Sequence, residues 1–236
     1  MSRLKCVIFD LGNTLFEDGK SVQHSSEVRY QKLRDLGYEV SREDYNQAIR
    51  TISPRFEEKY AGDYRRLEYG PFMEMVFEEL GIDYNEEDAK KLDKIFWKER
   101  VKNRITKEGA NEIIDCCLRK DIDVGIISNA NQLLLESALE KLEVDKEKFV
   151  EVIYSTDVEA EKSTLEPFRI FLDSTGFNPE ECLMVGDRRD EDMMAKELGM
   201  KTVLIENGRE EISEGMEPDH KIKSLDQLKE IVDQYC

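Results

Sequence analysis

The pattern of apolar residues changes its period twice along this chain. Residues 4–9 end in the continuous apolar run CVIF, which is typical of a buried strand. From about residue 20 to residue 103, apolar residues recur at helical spacing without a convincing strand. From about residue 104 onward, apolar runs of strand length alternate with amphipathic segments. The pattern therefore predicts an all-helical segment between one strand and a region of alternating strands and helices.

Four helices are predicted inside the helical segment, from their apolar faces and from residues that start or stop helices. They are Ser21 to Leu36, a helix that begins at Ser41 with Asp44 in a capping box, Asp63 to Leu80, and a helix that begins at Asn85. The third is predicted as one uninterrupted helix that ends at Gly81.

The region after residue 104 is predicted to contain five strands, of which the last is weak. The strands are Val124–Ile127, Val152–Tyr154, Cys182–Val185, Thr202–Ile205 and His220–Ile222. The helices among them are Gly109–Lys120, Gln132–Leu142, Glu166–Thr175, Asp192–Leu198 and Leu225–Gln234. Such alternation predicts a parallel sheet that is covered by helices on both faces.

The first strand must join this sheet, because a lone short strand cannot bury itself. The predicted fold class is therefore α/β, a doubly wound parallel sheet of Rossmann-like form with an inserted all-helical domain. Residues 1–17 and 105–236 are expected to form the core domain, and residues 18–104 the inserted domain.

The charge of the chain narrows its range of partners. The 236 residues carry a formal net charge of −18. No nucleic-acid partner and no membrane partner is expected, because both need a basic surface. An anionic small molecule stays compatible if a metal ion and a few cations reverse the field locally. The oligomeric state is left open.

The cytoplasm is the expected compartment. The five cysteines are an odd number without a CxxC spacing, which fits a reducing environment. No apolar run approaches the roughly 20 residues that span a bilayer. The short apolar stretch near residue 6 does not fit a signal peptide.

Polar residues with chemical potential follow the predicted strands in order. They lie in FDLGNT (9–14), IISNA (126–130), DVEAEKS (157–163) and VGDRRDED (185–192). Each stretch alone has an ordinary explanation, such as a helix cap, a solvated charge or an acidic loop. In a parallel sheet, however, ligands bind beyond the carboxyl ends of the strands. Asp10, Ser128 and Asp187 each lie at such an end, so the pattern favours one shared site.

With these motifs, the sequence resembles the haloacid dehalogenase-like (HAD) superfamily, in the branch with a helical cap inserted after the first strand. The resemblance covers nearly the whole chain. Lys162, Gly176 and Gly186 keep the spacing of the family. One departure is Ser163–Leu165, which reads S-T-L where family members commonly have P-D-P.

The resemblance implies a phosphatase, a hydrolase that acts on a small phosphorylated substrate. Asp10 would be the nucleophile that forms an aspartyl-phosphate. The Ser128 hydroxyl and the backbone N–H of Asn129 would bind the phosphoryl group, and Lys162 would neutralise negative charge. The resemblance thus implies that Asp10, Ser128 and Lys162 are catalytic residues and that Ser128, Asn129 and Lys162 bind the substrate.

The resemblance also implies a magnesium ion. The Asp10 carboxylate, the Gly12 backbone carbonyl and the Asp187 carboxylate would hold Mg²⁺, and Asp192 would orient that site. Ligands that are all oxygen atoms suit Mg²⁺ better than zinc.

Gly12 departs from the phosphatase pattern, because the family usually has a second aspartate two residues after the nucleophile. That aspartate protonates the leaving group and later activates water, and such proton transfer is worth about 10²–10⁴ in rate. We therefore expect a slow phosphatase, one suited to good leaving groups, or one that uses an acid from the cap. The alternatives are a phosphonate hydrolase, a 2-haloacid hydrolase, and a catalytically weakened binding or regulatory module.

Overall fold

The structure is a computed structural model that describes residues 3–17, 22–102, 104–206 and 216–235. The chain divides into two compact units. Met1–Asp18 and Ile105–Cys236 form one of them, which we call the sheet unit, and Gly19–Arg104 form the other, the helical unit. In the described residues, no helix is both long and apolar enough to cross a membrane.

The strands all lie in the sheet unit. In chain order they are β1 Cys6–Phe9, β2 Phe16–Glu17, β3 Ile105–Thr106, β4 Asp123–Ser128, β5 Phe149–Tyr154, β6 Cys182–Gly186, β7 Lys201–Ile205 and β8 His220–Ile222. Six of them form a sheet in the order β5-β4-β1-β6-β7-β8, and every neighbouring pair is parallel. The predicted α/β fold with a parallel sheet is confirmed. The pattern did not predict the short antiparallel pair of β2 with β3.

The helices fall into two groups. The helical unit contains α1 Val22–Asp35, α2 Arg42–Lys59, α3 Pro71–Leu80 and α4 Glu86–Lys102. The sheet unit contains α5 Ala110–Arg119, α6 Gln132–Lys141, α7 Ser155–Val158, α8 Glu166–Thr175 and α9 Asp226–Tyr235. Short 3₁₀ helices lie at Tyr64–Leu67, Lys146–Lys148, Pro179–Glu181 and Asp192–Leu198.

The predicted single helix from Asp63 to Leu80 is wrong. The structure has a 3₁₀ helix at Tyr64–Leu67 and begins α3 only at Pro71. Gly70 lies between them with φ at 118°, a conformation that a helix interior does not allow. Pro71 lacks an N–H group, so it suits the first position of a helix and not its interior.

Other helix predictions agree more closely with the structure. The Ser41 side chain accepts a hydrogen bond from the backbone of Asp44, so the predicted start of α2 is confirmed. Asp192–Leu198 was predicted as an ordinary helix and is a 3₁₀ helix instead. The predicted start of the first helix at Ser21 lies outside the described residues.

The central strand β1 explains why helices cover both faces of the sheet. Val7 and Phe9 point into a cluster with apolar residues of α5 and α9, whereas Cys6 and Ile8 belong to a second cluster with Phe168 and Phe171 of α8. All four β1 side chains are fully buried, so this short strand has no polar face. The helical unit has an apolar cluster of its own.

The end of β1 sets the position of the candidate site. Asp10 follows the strand directly, and its backbone N–H donates a hydrogen bond of 2.9 Å to the carbonyl of Val185 in β6. Since β1 lies between β4 and β6, Asp10 reaches the carboxyl edge of the sheet with a neighbouring strand on each side. That edge is where parallel sheets bind ligands.

Candidate active site

Asp10, Ser128 and Lys162 meet at the carboxyl edge of the sheet. Ser128 is the last residue of β4, and its hydroxyl donates to Oδ1 of Asp10 over 3.1 Å. The Lys162 ammonium, from the segment between α7 and α8, donates to the same oxygen over 2.5 Å. The Asp10 side chain is only 8% exposed. The structure thus places three of the predicted site residues in direct contact.

Lys162 lies between two acids. Its side chain is 2% exposed, and its ammonium also donates to Oδ1 of Asp192. Burial opposes the positive charge, but the carboxylates of Asp10 and Asp192 outweigh it and raise the pKa of Lys162. The ammonium is therefore a fixed positive charge inside the site.

The loop after β6 supplies the remaining acids. Asp187 follows Gly186, the last residue of β6, and Asp192 begins the 3₁₀ helix after it. The second oxygen of Asp192 accepts a hydrogen bond of 2.9 Å from the backbone N–H of Arg188. A Cβ atom at Gly186 would collide with the carboxyl group of Asp192, so this close approach requires glycine.

Asp10, Asp187 and Asp192 form an acidic cluster that fits a divalent cation. Each offers a carboxylate oxygen, and these atoms all lie within 4.8 Å of one another. Burial raises the pKa of Asp192 to about 8; Lys162 opposes this rise, while Asp10 and Asp187 add to it. The acids of the cluster therefore oppose one another's ionisation more than Lys162 alone offsets, and a divalent cation would relieve that repulsion. Hard oxygen ligands with surplus negative charge suit Mg²⁺.

Gly12 lies in the tight turn that joins β1 to β2. The backbone N–H groups of Leu15 and Phe16 both donate to the carbonyl of Leu11 over 3.0 Å, and Gly12 forms a bridge to Phe16. The hydroxyl of Thr14 is buried in this turn and finds no hydrogen-bond partner among the residues that the structure describes.

Lys107 is a neighbour of the site that sequence reasoning missed. Its ammonium donates to the backbone carbonyl of Asn13, and its backbone N–H donates to that of Leu15 over 2.8 Å. Burial lowers the pKa of Lys107, and the nearby charges of Asp187, Glu17 and Asp10 act against that shift. Lys107 directly follows the two-residue strand β3, which carries no recognisable pattern, so no sequence signal was available.

The side chain of Asn129 joins three segments at the edge of the sheet. Its Oδ1 accepts hydrogen bonds of 3.0 Å from the backbone N–H of Lys162 and from the hydroxyl of Ser155. Its Nδ2 donates over 2.8 Å to Oε2 of Glu191. The sequence drew attention only to the backbone N–H of Asn129, and it did not single out Ser155 or Glu191.

The fold and the site together define a class of protein. A doubly wound parallel sheet gathers a buried aspartate, a hydroxyl, a lysine and further acids at its carboxyl edge, as in Rossmann-like hydrolases. The family model of haloacid dehalogenase-like hydrolases matches residues 4–199, and the chain belongs to that family.

Similar proteins extend over the whole chain. A glyceraldehyde 3-phosphate phosphatase of Methanocaldococcus jannaschii is 28% identical over 235 residues, which cover 97% of each chain. The HAD phosphatase of Thermococcus onnurineus has a TM-score of 0.69 at 22% identity and covers 97% of this chain and 98% of its own. The 2-haloacid dehalogenase of Pseudomonas syringae has the same TM-score at 20% identity, with 99% and 100% covered. These two structural likenesses establish the fold alone.

Proposed function

We propose that this hydrolase is a Mg²⁺-dependent phosphatase that acts on a small phosphorylated metabolite through an aspartyl-phosphate on Asp10. The observation that carries the proposal is the pairing of the buried Asp10 carboxylate with the Lys162 ammonium and the Ser128 hydroxyl. A relative that matches nearly the full length is named as a glyceraldehyde 3-phosphate phosphatase, which supports the same chemistry.

In the first half-reaction, an oxygen of Asp10 forms a bond to phosphorus while the bond from phosphorus to the leaving oxygen breaks. The carboxylate and the phosphate are both anions, so they approach only if positive charge compensates them. Lys162 supplies one such charge from a water-poor position. We assign the Ser128 hydroxyl and the backbone N–H of Asn129 to the phosphoryl oxygens.

The acidic cluster would hold the second compensating charge. Asp10, Asp187 and Asp192 would bind Mg²⁺ together with the backbone carbonyl of Gly12, which needs no side chain for that contact. Bound Mg²⁺ would supply positive charge to the phosphoryl oxygens and orient them. The fit rests on three carboxylate oxygens that lie within 4.8 Å of one another.

In the second half-reaction, water attacks phosphorus, releases inorganic phosphate and restores the Asp10 carboxylate. Gly12 cannot accept a proton from that water, and it cannot donate one to the leaving group before. We therefore infer slow turnover, a preference for leaving groups that need no protonation, such as acyl phosphates, and a long-lived aspartyl-phosphate.

Residues 18–104 are proposed to be a cap that governs substrate choice and excludes water during the reaction. We place the enzyme in the cytoplasm, which agrees with its odd number of cysteines, and assign it no nucleic-acid or membrane partner, which agrees with a net charge of −18.

The function is tested by release of p-nitrophenol from p-nitrophenyl phosphate with Mg²⁺, followed by a screen of phosphorylated metabolites. We expect turnover by the wild type, none by Asp10→Asn, and unchanged turnover by Asp173→Asn, a control at an exposed aspartate of α8. Chloride release from chloroacetate would identify a dehalogenase instead. Binding of a phosphorylated metabolite without turnover would identify a binding module, and either result would overturn the proposal.

A further inference from the structure

Lys162 sits on a segment whose sequence does not stiffen it. Where the family commonly has P-D-P after this lysine, the chain has Ser163–Leu165. Proline fixes φ and reduces the conformational freedom of the backbone. Ser163–Leu165 include no proline, so they do not restrict the backbone in this way. The ammonium must nevertheless reach Oδ1 of Asp10 within 2.5 Å. Some other contact has to hold the backbone of this lysine.

Two kinds of contact hold it in the structure. Thr164 closes a local turn, since its backbone N–H and its hydroxyl both donate to the carbonyl of Glu161, over 2.9 and 2.8 Å. The longer-range contact is the hydrogen bond from the backbone N–H of Lys162 to Oδ1 of Asn129. That bond ties the lysine directly to the residue after β4, the strand that carries Ser128.

The amide of Asn129 can hold Lys162 only while it keeps one orientation. Its oxygen faces two donors, the Lys162 backbone and the Ser155 hydroxyl, and its nitrogen faces the Glu191 carboxylate. A flipped amide would set its NH₂ group against the Lys162 backbone N–H and its oxygen against the Glu191 carboxylate, so these two contacts fix one orientation. Glu191 is itself held by Nε of Arg188, which lies 3.2 Å from its other oxygen.

We propose that the Asn129 side chain and Glu191 form a clamp that positions Lys162 against Asp10, in place of the proline-stiffened segment. This inference rests on the proposed function, because it assigns a role in the phosphatase reaction. Both are positioning residues, since their side chains act through Lys162. Glu191 fixes the orientation of the Asn129 amide, and the oxygen of that amide holds the backbone of Lys162 in position.

The proposal is tested by a double-mutant cycle on kcat with p-nitrophenyl phosphate. Asn129→Asp keeps an acceptor for the Lys162 backbone but sets a carboxylate against Glu191. We expect kcat to fall about 10²-fold, the cost of a displacement of about 1 Å, with little change in KM. Adding Glu191→Gln places an amide donor opposite that carboxylate, and we expect it to restore kcat at least about ten-fold. A double variant whose loss equals the product of the two single losses would overturn the clamp.

A second readout does not need catalysis. Glu191→Ala should speed hydrogen exchange at the backbone amide of Lys162, because Asn129 loses the partner that orients it. The matched control is Glu136→Ala, which removes a carboxylate from an exposed amide partner, Gln132, at 2.7 Å, and should leave exchange at Lys162 unchanged. Unchanged exchange in Glu191→Ala would overturn the clamp. A wild type without turnover would overturn the phosphatase, and the exchange rates would then decide on the clamp alone.

Discussion

The ammonium of Lys162 lies 2.5 Å from Oδ1 of Asp10, although the two residues are 152 positions apart in the chain. The same ammonium contacts Asp192, so a single cation separates two buried carboxylates. Removing the lysine would leave both buried acids without their shared counter-charge, which is costly for carboxylates that are shielded from solvent. The lysine therefore serves stability as well as the proposed reaction.

Lys162→Met should lower kcat for p-nitrophenyl phosphate by about 10²–10³, the usual loss when one electrostatic contact to the transition state is removed. Lys5→Met is the matched control, because Lys5 forms an ion pair of 2.7 Å with Glu181 and is 55% exposed. We expect the control to keep its activity. A Lys162→Met enzyme within two-fold of the wild type would contradict the assigned role.

Gly12→Asp should restore the missing proton carrier and speed the hydrolysis of alkyl phosphates, by at least about ten-fold if part of the usual gain of 10²–10⁴ is recovered. Gly12 is not among the described residues with positive φ, so the new side chain does not require a strained backbone. The gain should be small for p-nitrophenyl phosphate, whose leaving group needs no proton.

Gly12→Ala is the control for Gly12→Asp, because it adds a side chain at this position without adding a group that can transfer a proton. It should give no gain with alkyl phosphates. Steady-state rates with one alkyl and one aryl phosphate, measured for both variants, decide the matter. If both variants hydrolyse alkyl phosphates faster by the same factor, the missing acid does not limit the rate of the wild type.

Mg²⁺ should stabilise the folded chain even without substrate, because a ligand that binds only the native state adds about 2.7 kcal/mol at 100 times its Kd. Thermal unfolding followed at rising Mg²⁺ measures this shift, and EDTA should reverse it and stop turnover. Asp187→Asn should reduce the shift, because the cluster loses one of its three carboxylates. If Mg²⁺ stabilises Asp187→Asn as much as the wild type, the ion does not bind at this cluster.

The sequence predicted the parts of this molecule that depend on local pattern. The apolar run before Asp10 identified β1, and the order of strand ends predicted that Asp10 and Ser128 would approach each other, as they do. The break before Pro71 was missed, although Gly70 followed by Pro71 is itself a turn signal in the sequence. Lys107 and Glu191 were missed because their contacts join segments that are distant in the chain, and no periodic pattern encodes such contacts.

The buried ion pair of the helical unit gives a prediction that is independent of catalysis. Arg29 and Asp93 lie 3.1 Å apart with side chains 4% and 3% exposed, and burial raises the pKa of Asp93 despite the arginine. Arg29→Met should cost about 3–5 kcal/mol of stability, because it leaves the carboxylate buried without its partner. Urea unfolding can be followed by the fluorescence of Trp97, the single tryptophan of the chain.

Arg55→Met provides the comparison, because Arg55 pairs with Glu79 at the same distance of 3.1 Å but is 57% exposed. Its cost should stay below about 1 kcal/mol, as for other exposed pairs. Equal costs for the two variants would show that burial does not govern the Arg29 pair.

Asp219 makes stability depend on acid pH. Its carboxylate accepts hydrogen bonds from the backbone and hydroxyl of Thr202, over 2.9 and 3.0 Å, and pairs with Lys196 at 2.7 Å. Burial acts to raise its pKa, but the bonds from Lys196 and Thr202 outweigh burial and hold the pKa below the ordinary 3.8. The ionised form therefore stabilises the fold above pH 3.8, and this contribution is lost as the pH falls through the lowered pKa.

Asp219→Asn should consequently be less stable than the wild type at pH 7, by about 1–3 kcal/mol for lost charge-assisted hydrogen bonds. The difference in stability between the two proteins should shrink once the pH falls below 3.8, because the wild-type carboxylate then becomes protonated and loses its charge. Urea unfolding by far-UV circular dichroism at several pH values measures this difference, with Asp173→Asn as the exposed control. If the difference in unfolding free energy between the two proteins is the same at pH 3 and pH 7, the charge of Asp219 does not stabilise the fold. Protonation of the wild-type carboxylate would then have removed no stabilising interaction.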